Sequence, residues 1–143
     1  MSFDLKIVNN DLVINQGDLK QVVDSDKLIQ DILKLALTEA GANPLHPWYG
    51  SFLSKVAIGT YLDDDVIIQM SRSQLQTALE NLKSLQDMQL KTQQSLTADE
   101  QIAAISDIFV NRSDEDPRLF NVTITVISKG IKPITTSFRI STI

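Results

Sequence analysis

The stretch Ser113–Ile127, S-D-E-D-P-R-L-F-N-V-T-I-T-V-I, constrains the fold more than any other. A proline ring excludes the preceding residue from helical backbone, so Asp116 must be extended or in a turn. Pro117 itself has a pinned φ and no N–H to give. Beyond it, Phe120, Val122, Ile124 and Val126 alternate with Asn121, Thr123 and Thr125, the period of a half-buried strand. Upstream, Ile102, Ile105, Ile108 and Phe109 recur at helical spacing behind Thr97-Ala98-Asp99-Glu100, which matches a capping box. The expectation is a helix over 97–110, a charged corner, then a strand. At that corner Arg118 carries a planar fork of donors suited to a carboxylate or to backbone carbonyls. Asp116-Pro117-Arg118 therefore reads as a docking element. The plainer reading is a local turn closed by a surface ion pair, worth about 0–1 kcal/mol.

The flanking segments supply the rest of the fold. Leu5 and Ile7, then Leu12 and Ile14, alternate on either side of Asn9-Asn10, which predicts an N-terminal β-hairpin, with Leu19 to Val23 extended after it. Leu28, Ile32 and Leu35 beside Ile29, Leu33 and Ala36 give a wide apolar face to a helix over 26–39, ended by Gly41. The loop A-N-P-L-H-P-W-Y-G is stiffened by two prolines. Trp48 and Tyr49 are expected to anchor it to the core, with a partner-binding hot spot as the alternative. A short helix is expected over Ser51–Ile58. Asp63-Asp64-Asp65 opens a long helix over 66–91, its carboxylates favoured by the helix dipole; the segment 66–96 reads as an added helical element. Lys129-Gly130 turns the chain into a last strand carrying Ile134, Phe138 and Ile140, whose Pro133 suits an edge. No internal repeat, low-complexity tract or domain boundary is read. The expected fold is a single α+β domain over 1–143, with an N-terminal β-hairpin, three main helices and a C-terminal β-hairpin with an open edge strand.

Several functions are disfavoured by what the chain lacks. A net charge of −5 and a pI near 4.7 argue against a broad nucleic-acid footprint and against docking on an anionic membrane. With no cysteine and one histidine, His46, neither a disulfide nor a thiolate or multi-histidine metal centre is available. The three aspartates lack the glycine and downstream ligands of a calcium loop. There is no nucleophile elbow, phosphate-binding glycine loop or zinc motif. No apolar run approaches the ~20 residues of a membrane helix, and M-S-F-D-L-K lacks the features of a secretory signal. The chain is expected to be soluble where it is made, to hold no metal or cofactor and to catalyse nothing.

Three segments, in order, carry a family resemblance: G-D-L-K-Q-V with the helix L-I-Q-D-I-L-K-L-A-L-T-E-A-G, the loop N-P-L-H-P-W-Y-G-S, and I-A-A-I-S-D-I-F followed by D-P-R and two strands. Together they resemble the small baseplate wedge proteins of contractile phage tails, a family that also serves as sheath initiators in type VI secretion baseplates. The family carries Glu-Pro-Arg at the corner, where Asp116 stands here. The resemblance implies a structural virion subunit in the tail baseplate, made in the host cytoplasm. Its Asp116-Pro117-Arg118 corner would bind the wedge core. Its C-terminal strands (Phe120, Val122, Ile124, Val126, Ile134, Phe138 and Ile140) would exchange with the sheath protein and seed the first sheath ring. Other wedge proteins and the sheath are the implied partners, with the tail tube or hub as a further candidate. The alternative is a small lysozyme-like peptidoglycan hydrolase with Glu39 as general acid; glycoside hydrolysis needs two carboxyls ~5–9.5 Å apart, and no second carboxylate is marked as its partner.

Overall fold

The computed structural model describes residues 3–9, 11–53, 63–92 and 95–141. Six two-residue strands come first: β1 (Asp4–Leu5), β2 (Ile7–Val8), β3 (Asp11–Leu12), β4 (Ile14–Asn15), β5 (Asp18–Leu19) and β6 (Gln21–Val22). Helix α1 (Asp24–Leu37) and the long helix α2 (Asp64–Lys91) follow, then a 3-10 turn (Ala98–Glu100) and three long strands, β7 (Ile102–Arg112), β8 (Leu119–Ser128) and β9 (Pro133–Ser141). The short helix expected over Ser51–Ile58 lies largely outside the described residues.

The alternation in β8 places it at the centre of the core. The last three strands form an antiparallel sheet in the order β7-β8-β9. Phe120, Val122, Ile124 and Val126 all point to one face and are wholly buried. In register beside them stand Val110 and Ile108 of β7 and Ile140 and Ile134 of β9. Leu28, Ile32 and Leu35 of α1 and Leu75, Leu79 and Leu82 of α2 complete the same cluster. Helix α2 lies along β7, and α1 along β9. The opposite face is polar, with hydroxyl pairs Thr123–Ser137 (3.1 Å) and Thr125–Thr135 (3.3 Å).

The expected three-helix arrangement is wrong. Among the described residues there are two main helices, and the segment expected as a helix over 97–110 is mostly strand β7, so the C-terminal hairpin is part of a three-stranded sheet. The capping box does form, with the Thr97 N–H donating to Glu100 Oε2 at 3.1 Å, but it opens only the 3-10 turn. Two bulges explain the misleading period. Between Ile102 and Ala104, and again between Ile105 and Asp107, two steps along β7 oppose one step along β8. Each extra residue stretches the strand period of two to three. Ile102, Ile105 and Ile108 thus share the core face at a spacing that imitates a helix, while Phe109 turns outward opposite Thr123. The start of β7 is held by Gln86 of α2. Its buried amide donates to Glu100 O and accepts from Ile102 N–H, both at 2.9 Å.

The N-terminal segment is also more than a hairpin, and it contains an internal repeat that the sequence reading missed. Asp-Leu recurs at residues 4, 11 and 18, a period of seven. The pairings are β1 with β6, β2 with β3, and β4 with β5. The third residues of the repeats close a ring of backbone hydrogen bonds: Lys6 N to Lys20 O (2.8 Å), Val13 N to Lys6 O (3.1 Å) and Lys20 N to Val13 O (2.9 Å). Asn9 and Gln16, the sixth residues of the first two repeats, share a left-handed backbone, with φ of 51° and 52°. The result is a pseudo-threefold clip. Its first repeat is latched to α1 through Gln30, which donates to Asp4 Oδ2 (2.9 Å) and Leu5 O (2.8 Å) and accepts from Ile7 N–H (3.0 Å).

Candidate functional site

The Asp116-Pro117-Arg118 corner belongs to the loop joining β7 to β8, at the end of a hairpin rather than between a helix and a strand. The loop closes on itself. Ser113 N–H donates to Leu119 O (2.8 Å), and Leu119 N–H donates to Asp116 O (3.0 Å). Asp116 Oδ1 accepts from the Arg118 backbone N–H at 2.9 Å and lies 3.4 Å from its Nε. The backbone N–H of Arg118, and then its guanidinium, hold the Asp116 carboxyl below the ordinary range. The pair is therefore a local turn contact at an exposed site. The Arg118 side chain is 64% exposed.

A residue that ties the corner to α2 and the core, and that sequence reasoning missed, is Arg112. It sits at the last position of β7, paired with Phe120 of β8. Its guanidinium grips both carboxylate oxygens of Asp64 at the start of α2, with the Nε contact at 2.8 Å, and it donates to Pro117 O. The same group lies 4.9 Å from the centre of the Phe120 ring. A cation bound to a carboxylate in the first turn of α2 fixes helix, hairpin loop and core together. The signal in the sequence was an arginine at the end of a β-branched run, with an acidic triplet elsewhere to receive it. That triplet reads as helix caps, yet Asp63 takes the cap position without a side-chain capping bond.

The two edges of the sheet differ. The outer edge of β7 is broken by its bulges, and between β7 and α2 lies a cleft of about 330 Å3 lined by residues that include Gln69, Arg72, Gln76 and Asp107. Bulges blunt an edge against strand addition. β9 pairs one-for-one with β8 from Pro133 to Ser141 without a bulge, and its other edge meets no described strand. Ile134, Phe138 and Ile140 lie on this edge strand. Phe120, Val122, Ile124 and Val126 lie on β8, whose two edges are already occupied, and serve the core.

The Pro-rich loop folds back on α1. Gly50 has φ of 113°, and a Cβ there would sit 2.6 Å from Thr38 O, so only glycine fits. The close approach lets Ser51 N–H donate to Thr38 O (2.9 Å) and Ala40 N–H to Ser51 O (3.0 Å). Trp48 packs edge-on against His46 and Tyr49, with ring centres 5.7 and 6.2 Å apart. Trp48 and Tyr49 line a shallow cavity of about 280 Å3 with Leu85 and Gln89 of α2. Tyr49 is half-buried, and burial raises its hydroxyl pKa. Glu39 is exposed and forms an isolated bridge with Ser51 beside Gly50.

Among the described residues no three His, Asp or Glu side chains gather as a metal site, and no helix is long and apolar enough to cross a membrane. No protein-family profile and no curated protein matches the chain.

Proposed function

We propose that this chain is a structural subunit of a contractile-tail baseplate, joined to other wedge proteins and to the tail sheath. In this reading it performs no reaction and uses no cofactor; it is assembled into the virion tail after synthesis in the host cytoplasm. The observation that carries the reading is the nine-residue β9 edge, regular and paired with no described strand, in a sheet whose other edge is broken by two bulges. Such an edge accepts a neighbour's strand through main-chain hydrogen bonds, and left open in a monomer it invites aggregation. The first two resembling segments, the Gly-Asp-Leu run with its helix and the Pro-aromatic-Gly loop, add support. The third does not, because the residues ahead of the corner form a strand.

The test is microscopy of tail particles containing a tagged copy, together with Ser137→Pro, which removes an exposed edge N–H that faces away from β8, where proline is tolerated. Label at the baseplate, and loss of sheath with the variant still folded, are expected. Particles without the label, or normal sheaths on the variant, overturn the reading.

A further inference from the structure

Among the described residues, the pseudo-threefold clip holds one docked arm and an equivalent arm on which no cation or amide side chain is docked. In the first repeat, Asp4 caps its own Leu5 N–H at 2.8 Å and offers Oδ2 outward. There α1 delivers Gln30 to Asp4, Leu5 O and Ile7 N–H, and Lys34 one turn on to the Asp4 carboxylate. In the second repeat, Asp11 caps Leu12 N–H in the same way, also at 2.8 Å. Asp11, Leu12 and Ile14 stand where Asp4, Leu5 and Ile7 stand in the first, and all three are exposed, Ile14 at 67%. Among the described residues no cation lies within ion-pair distance of Asp11.

We propose that the second repeat is a docking arm for a helix of another protein, one that presents glutamine and lysine one turn apart as α1 presents Gln30 and Lys34. Charge and geometry choose this occupant. A free carboxylate, a carbonyl and an amide at the spacing already used once call for an amide side chain and a cation at i and i+4. The exposed Leu12 and Ile14 call for apolar neighbours on the same helix face. A second copy of this chain does not supply the pair. Its own Gln30 and Lys34 are engaged, and α2 has no glutamine four residues before a lysine or arginine. The third repeat is less suited, because Gln21 replaces the apolar residue at the position of Ile7 and Ile14. This interface is separate from the β9 edge and does not depend on it.

The probe is a fluorescent, hydrocarbon-stapled peptide of residues 24–37 with the staple at positions 28 and 32, leaving Gln30 and Lys34 open. It is titrated into the full chain by anisotropy and by amide chemical shifts. Saturable binding with shifts at Asp11, Leu12 and Ile14 is expected. Asp11→Asn in the protein, which keeps the local cap, and Lys34→Ala in the peptide should each weaken binding about tenfold or more. Absence of binding at millimolar peptide, shifts confined to Asp4 and Leu5, or affinity unchanged by Asp11→Asn would each overturn the proposal.

Discussion

Replacing Gln86 by leucine isolates the contact that makes residues 102–112 a strand. The Gln86 amide is 4% exposed and satisfies two backbone groups at once, Glu100 O and Ile102 N–H. Leucine nearly conserves the volume, so the cost is the loss of two buried partners. Each stripped backbone group costs about 1–3 kcal/mol, which sums to about 2–6 kcal/mol. In a domain of this size that lowers Tm by roughly 6–24 °C. Gln86→Glu keeps an acceptor for Ile102 N–H but sets a carboxylate against a carbonyl, and should cost at least as much. Urea unfolding followed by far-UV circular dichroism, with a thermal scan, measures both. In a helix over 97–110, Ile102 N–H would bond to Ala98 O and would not need Gln86. A loss under about 0.5 kcal/mol, the range of an ordinary surface change, refutes the account of β7.

Other consequences follow from single contacts. Arg112→Ala removes the Asp64 grip, the Pro117 contact and the Phe120 stacking, and should cost about 1–2 kcal/mol in urea unfolding. Gly50→Ala forces a left-handed backbone onto a residue with a Cβ facing Thr38 O, and should lower Tm by several degrees, read by calorimetry. The clip latch is pH-dependent. Burial alone would raise the Asp4 carboxyl, but hydrogen bonds from Lys34 and Gln30 and the Lys34 charge hold it below its ordinary 3.8. A depressed carboxyl stabilises the fold above that value and loses the contribution as pH falls through the folded pKa. For Lys34, burial works against the charge and Asp4 outweighs it, raising the pKa above 10.5, so that contribution fades only at higher pH. Amide exchange at Leu5 and Ile7 should therefore accelerate below about pH 4 and stay level from there to about pH 10, after correction for intrinsic rates.

Much of the fold follows from local pattern. The wide apolar stripe of α1 and the single stripe of α2 place both helices to within two residues of their expected ends, and the strict alternation of β8 and β9 is a strand signal without competitors. The failures share a cause, which is that pairing partners lie far away in sequence. In β7 the bulges are set by register against β8, and they convert a strand into something with helical spacing. The N-terminal repeat hides because only Asp and Leu recur at every turn, while β1 pairs with β6 across the whole clip. At the corner, a proline and two charges drew attention to Arg118, whereas Arg112 reaches an aspartate 48 residues away. The open edge of β9 was legible as a Pro-marked terminal strand, but the contrast with a blunted β7 was not.

Under the proposed function, β9 is an edge that a sheath strand completes. Hydrogen–deuterium exchange of the β9 amides, with and without purified sheath protein, tests it most directly. Between Pro133 and Ser141, alternate amides that face away from β8 should exchange rapidly in the isolated chain and slow by at least tenfold once sheath protein is added, while β7 amides stay unchanged. Outward β9 amides already protected in the monomer, or still exchanging freely in the presence of sheath protein, would contradict it.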